Sequence, residues 1–197
     1  MISNLSETVS GSSASPVTAV DAVTVPGLAA SELWLTEAQR RDLAYLVEAS
    51  YPFEACGLLV GTADAQRIDV RDVFHARNLN VERARDRFLL DPDDHMAADR
   101  SARARGLDIV GIWHSHPDHP ARPSVTDLEA AWEGFSYLII STTCCGASDF
   151  RSWRLQSGKF IEEAIRDSPA SSSEAASSSE KPSSENRSST ELSEKQS

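Results

Sequence analysis

The sequence predicts a single domain of the α/β (α+β) class, with helices and strands alternating around one mixed sheet. Two kinds of segment point there. Cys56–Gly61 and Leu107–Trp113 are short apolar runs bounded by glycine or by polar residues, the right length for buried strands. Between and around them lie stretches with helical spacing, one carrying Leu43, Leu46 and Val47 and one rich in Ala and Arg from about Asp93 to Arg105. The chain has 197 residues, 40% of them hydrophobic and 25% charged, enough for one core with tails.

Residues 1–30 contain no Lys or Arg and are dominated by Ser, Thr, Val, Ala and Pro, whereas 168–197 are rich in Ser and Glu. Neither can bury enough apolar surface to offset the entropy of ordering, so both are expected to be disordered around a domain spanning 31–167. Inside it, Thr36 caps a first helix that stops before Pro52. Cys56–Gly61 is the first strand. Arg67–Ala76 alternates, turning Ile68, Val70 and Val73 inward, and Arg87–Leu90 is a third strand ended by Asp91-Pro92. The Ala/Arg-rich helix closes at Gly106, a common residue just past a helix end. Leu107–Trp113 then runs into His114-Ser115-His116, and the proline-rich 117–123 must be loop. A short helix over Val125–Trp132 and strands over Ser136–Thr142 and Phe150–Leu155 complete the domain.

The net charge of −11 excludes nucleic acid as a generic partner, because phosphate binding needs clustered Lys and Arg. Arg83, Arg85, Arg87, Arg100, Arg103 and Arg105 are interleaved with acids and read as a solvated face. Cys56, Cys144 and Cys145 form no CxxC, and a bridge between adjacent cysteines would be strained, so a reducing cytoplasm is expected. No apolar run approaches the ~20 residues of a membrane span, and no membrane partner is expected.

The chemistry concentrates at His114-x-His116. Side chains at i and i+2 of a strand share a face, so both imidazoles can grip one cation at the ~2.0–2.1 Å typical of zinc. Ten residues later the loop returns Asp127 toward them. Two histidines and a carboxylate with an open fourth position make a catalytic rather than a structural set, for one zinc per chain. Glu54, at the edge of a buried strand among apolar neighbours, is the candidate general acid/base. Ser124 and Asp127 also read as a helix capping box. Ser115 should face away from the ligands. His119 falls at the wrong offset for a ligand and belongs to the rim. His75 and His95 have no partners in sequence, Cys56 reads as a small buried residue, and Trp113 and Trp132 read as core.

Taken together, Glu54, His114-Ser115-His116-Pro117, Ser124 and Asp127 resemble the JAMM motif of MPN-domain zinc metalloproteases, in the small bacterial form. The stretches FEACGLLVG and GIWHSHPDHPARPSVTD carry the same flavour, and the resemblance covers roughly residues 31–166. It implies a sheet wrapped by helices, similar to the cytidine deaminases. It also implies hydrolysis of a peptide or isopeptide bond after the C-terminal Gly-Gly of a ubiquitin-like, sulfur-carrier protein. Ser124 would stabilise the oxyanion. Three rivals fit less well. A non-catalytic MPN scaffold typically loses ligands or the glutamate, all present here. A barrel amidohydrolase needs ~250 residues. A cytidine deaminase needs Pro-Cys-x-x-Cys, which is absent.

Overall fold

A computed structural model describes residues 31–169, and the two terminal segments expected to be disordered lie almost wholly outside them. Local sequence sets the elements. Strand β1 (Glu32–Leu35) feeds helix α1 (Glu37–Ser50), whose cap is reciprocal: the Thr36 hydroxyl accepts from the Gln39 amide and the Gln39 side chain accepts from the Thr36 amide. Strands β2 (Cys56–Ala63) and β3 (Arg67–Ala76) form an antiparallel pair. Helix α2 (Pro92–Ala104) starts with Asp91 accepting from the Asp93 amide and ends at Gly106, whose φ of 68° suits a residue without a Cβ. Then come β4 (Asp108–Pro117), α3 (Val125–Ala130), β5 (Ser136–Thr143), β6 (Gly146–Gln156) and β7 (Lys159–Asp167).

The strands follow the order β1-β3-β2-β4-β5-β6-β7, and β1 pairs with β7 to close a barrel. β4 and β5 are parallel, which requires a crossover, and that crossover carries α3. The first turn of α3 therefore returns to the C-terminal end of β4. Leu138 and Ile140 join one core cluster with Leu43 and Val47 of α1, while Tyr137 and Ile139 pack on the other side with Trp153 and Phe160. β5 is buried on both faces, which is why its centre, Tyr137–Ile140, is a continuous apolar run.

Several sequence expectations need correction. β1 has no counterpart among the strands the sequence predicts, because its four residues abut the Thr36 cap. β7 was missed because its pattern is polar: Glu163 is buried and accepts hydrogen bonds from the Ser31 and Ser152 hydroxyls. Arg87–Leu90 is not a strand of the barrel; it makes one isolated bridge, Asn78 to Leu90. Helix α3 stops at Ala130, and Trp132 is 68% exposed rather than core. Trp113 is core, fully buried, with its indole N–H donating to the Phe74 carbonyl at 3.1 Å.

Gly57 makes that indole position available. A Cβ there would overlap the Phe74 carbonyl oxygen and lie 2.5 Å from Trp113 Nε1. Gly57→Ala is expected to destabilise the fold by about 1–3 kcal/mol, the usual cost of overpacking. Urea unfolding of both proteins measures it, and an unchanged midpoint would show that Trp113 gives way freely.

Candidate metal centre

His114 and His116 project from the C-terminal end of β4, which is held between antiparallel β2 and parallel β5. Asp127 reaches them from α3. Nε2 of His114 lies 3.0 Å from Nε2 of His116, and the two Asp127 oxygens lie 3.4 Å from His114 Nε2 and 3.6 Å from His116 Nε2. Four donors at zinc bond lengths on a tetrahedron stand about 3.3–3.4 Å apart, the scale of these separations. The two to Asp127 are made by different oxygens of its carboxylate, and one ligand atom from each residue lies within 4.8 Å of the others. The tautomer of His116 is set by its Nδ1, which donates to the Pro120 carbonyl at 2.9 Å and leaves the lone pair on Nε2 in the neutral ring. His114 stacks on Phe88, centroids 4.6 Å apart, and its Nδ1 is buried without a protein partner among the described residues.

Charge within the cluster is strongly interdependent. Burial alone would raise the Asp127 carboxyl, but the two imidazoles overturn it and hold Asp127 well below the usual carboxylate range. Burial lowers His114. In His116 burial pulls the same way, but the Asp127 carboxylate, helped by Glu54, prevails and raises it.

Ser124 caps α3. Its hydroxyl oxygen accepts from the Asp127 amide at 3.1 Å, while Asp127 Oδ2 accepts from the Ser124 amide at 2.6 Å. The capping box and the carboxylate beside the two imidazoles thus use the same side chain, and the Ser124 O–H proton is left to donate elsewhere.

Glu54 stands just before β2, 7% exposed, close enough to His116 for their charges to interact. Burial pushes its carboxyl up to about 8, against the pull of His116. Glu54, His114, His116, Ser124 and Asp127 line one cleft of about 700 Å³. Arg87, Phe88, Leu89, Trp132, Phe135 and Tyr137 also line it.

The other singled-out residues fall as follows. The Ser115 hydroxyl is fully buried and accepts from the Ala55 amide at 2.9 Å. His119 lies on the cleft rim with Nδ1 bonded to the Pro117 carbonyl, and His95 also lines the cleft. His75 stacks on Trp113, and Cys56 is buried. Phe88 and Asn78 went unnoticed in the sequence. Asn78 bonds the Glu54 carbonyl and the Arg87 carbonyl, contacts for which a lone Asn before Leu79 gives no signal.

Residues 36–156 match the family of prokaryotic homologs of the JAB domain. A protein of Haloferax volcanii named desampylase is 37% identical over 91 residues, 46% of this chain and 63% of that protein, so the chain spans just under two thirds of its length. The CysO-cysteine peptidase of Mycobacterium tuberculosis is 31% identical over 116 residues, covering 58% of this chain and 77% of that one. The solution structure of a protein from Desulfitobacterium hafniense superposes with a TM-score of 0.61 at 32% identity, over 69% of this chain and 92% of its own. No helix among the described residues is long and apolar enough to cross a membrane.

Proposed function

Because the chain belongs to the family of prokaryotic homologs of the JAB domain, we propose that it is a zinc peptidase cleaving the bond that follows the C-terminal Gly-Gly of a ubiquitin-like sulfur-carrier protein. One observation carries this reading: His114 and His116 of β4 and Asp127 of α3 bring one ligand atom each within 4.8 Å of one another beside the buried Glu54 carboxyl, in a single cleft. The names of the relatives, a desampylase and a CysO-cysteine peptidase, support the substrate class.

His114, His116 and Asp127 would hold the zinc, which supplies Lewis acidity toward a carbonyl and acidifies water. Glu54 takes the proton of the attacking water and returns it to the departing amine. In the metal-free site burial pushes this carboxyl up to about 8, near neutral pH, where one group can both take up and release a proton. Ser124 donates its free O–H to the charge developing on the attacked carbonyl oxygen.

An extended substrate tail needs a backbone edge to pair with, and the closed barrel offers none of its own strands for that. The open edge is Phe88–Leu90. Leu89 O and Asp91 N pair back toward residues 77–79, so Phe88 and Leu90 turn their N–H and C=O groups the other way, without protein partners among the described residues. An extended tail would hydrogen-bond along that segment. Two glycines let its backbone approach the metal set, where a Cβ would collide.

The test uses a carrier with one or two residues beyond Gly-Gly, incubated with the zinc-loaded protein and weighed by mass spectrometry. Trimming after the second glycine is expected, with a loss of about 10²-fold when that glycine is changed to leucine, on the scale of a misplaced reacting group. Equal trimming of both substrates would reject the close approach, and no trimming of either would reject the reading.

A further inference from the structure

Glu54 precedes the first residue of β2 by two, so the ladder does not hold its backbone. Three hydrogen bonds outside the ladder do. The Glu54 amide donates to the Ala84 carbonyl at 2.6 Å, the Glu54 carbonyl accepts from Asn78 Nδ2 at 3.0 Å, and the next amide, Ala55, donates to the Ser115 hydroxyl. Asn78 differs from the other two holders because its side chain also grips the cleft wall. Its Nδ2 donates to the Arg87 carbonyl at 3.1 Å, and its Oδ1 accepts from the Asn80 amide at 2.9 Å and the Leu89 amide at 3.0 Å. A primary amide has two N–H donors and an oxygen with two lone pairs, and here all four capacities are used.

We infer that Asn78 is a positioning residue that fixes Glu54 relative to the Arg87–Leu90 segment, so that the proton-transferring carboxyl and a tail lying along that segment arrive in register. This rests on the function proposed above. A peptide laid against Phe88 and Leu90 takes its position from the backbone of residues 87–90, and Glu54 takes its position from its own carbonyl. One planar amide bonds to both. A shift of about 1 Å between a reacting group and its substrate costs as much as 10²-fold in rate, so a spacer of this kind would act on turnover. The four bonds also span three separate stretches of chain, 54, 78–80 and 87–89, which no ladder joins directly apart from the single bridge at Leu90.

Asn78→Asp is the discriminating variant. It keeps the size and an acceptor oxygen, which preserves the bonds to the Asn80 and Leu89 amides, and it removes both donors, to Glu54 and Arg87. On the extended carrier, kcat is expected to fall about 10–100-fold with KM within about threefold of wild type. Zinc content should be unchanged, and hydrogen exchange at the Ala55 amide of the metal-free protein should quicken. In a Glu54→Gln background the same change should alter the residual rate by less than about threefold, because the group it positions is already disabled. Asn78→Ser carries no charge and covers the case in which the aspartate variant fails to fold; the same loss in kcat is expected of it. A purely structural anchor would instead lower the melting temperature or raise KM while leaving kcat alone. That result, or an equal loss of kcat in both backgrounds, overturns the inference while leaving the proposed function standing. A wild-type protein that trims no extended carrier overturns both.

Discussion

Glu54→Gln is expected to keep its zinc and lose about 10²–10⁴-fold in kcat, the range that positioned acid–base groups contribute. The substitution keeps shape and removes only the capacity to exchange a proton. The three atoms that converge as a metal set come from His114, His116 and Asp127, and Glu54 is not among them. Its carboxyl lies nearby, buried, at the base of the same cleft. An amide there remains neutral, and burial already disfavours the charged carboxylate, so the fold should tolerate the change well. Metal analysis and steady-state kinetics on one preparation separate the possibilities. Zinc lost together with activity would make Glu54 a ligand, and turnover within a few-fold of wild type would remove it from the proton path.

The geometry of the candidate site was more legible in the sequence than the outline of the fold, and the reason is physical. His114 and His116 two apart at a strand end, and Asp127 at the third position of a capped helix, are local patterns whose directions follow from strand and helix periods. The parallel β4–β5 crossover then brings them together. What local periodicity could not reveal is closure. β1 is four residues long and β7 carries a buried Glu163, so neither shows a strand pattern until their pairing with each other and with β3 and β6 is known. Trp132 illustrates the opposite error: a large aromatic after a helix reads as core, yet α3 ends two residues earlier and leaves the ring stacked on Phe135 at the cleft, largely in solvent. The Arg87–Leu90 segment reads as a strand because it is extended, and it sits outside the barrel because its partners are side-chain groups of Asn78 as much as backbone.

Replacing both His114 and His116 with alanine is expected to take the purified protein from one zinc per chain to less than about a tenth, since Asp127 alone gives one of the three protein ligands a catalytic site requires. Both imidazoles are at least nine-tenths buried, and their Nε2 atoms lie 3.0 Å apart, an arrangement that leaves two lone pairs facing each other unless a cation or a proton lies between them. His116 is already committed to offering Nε2, because Nδ1 gives its proton to Pro120. Loss of both rings also strips Asp127 of the partners that hold its carboxyl low, and burial then raises it, so the variant should take up a proton there and lose whatever stability the charged cluster gives the metal-free fold. His119→Ala is the control: its ring lies three residues beyond His116, in the loop that follows β4, bonded to the Pro117 carbonyl, and that variant should keep a full equivalent of zinc. Equal zinc in wild type and the double variant would remove the metal from this site, and loss of zinc on changing His119 alone would place the ligand set in the loop instead of on β4.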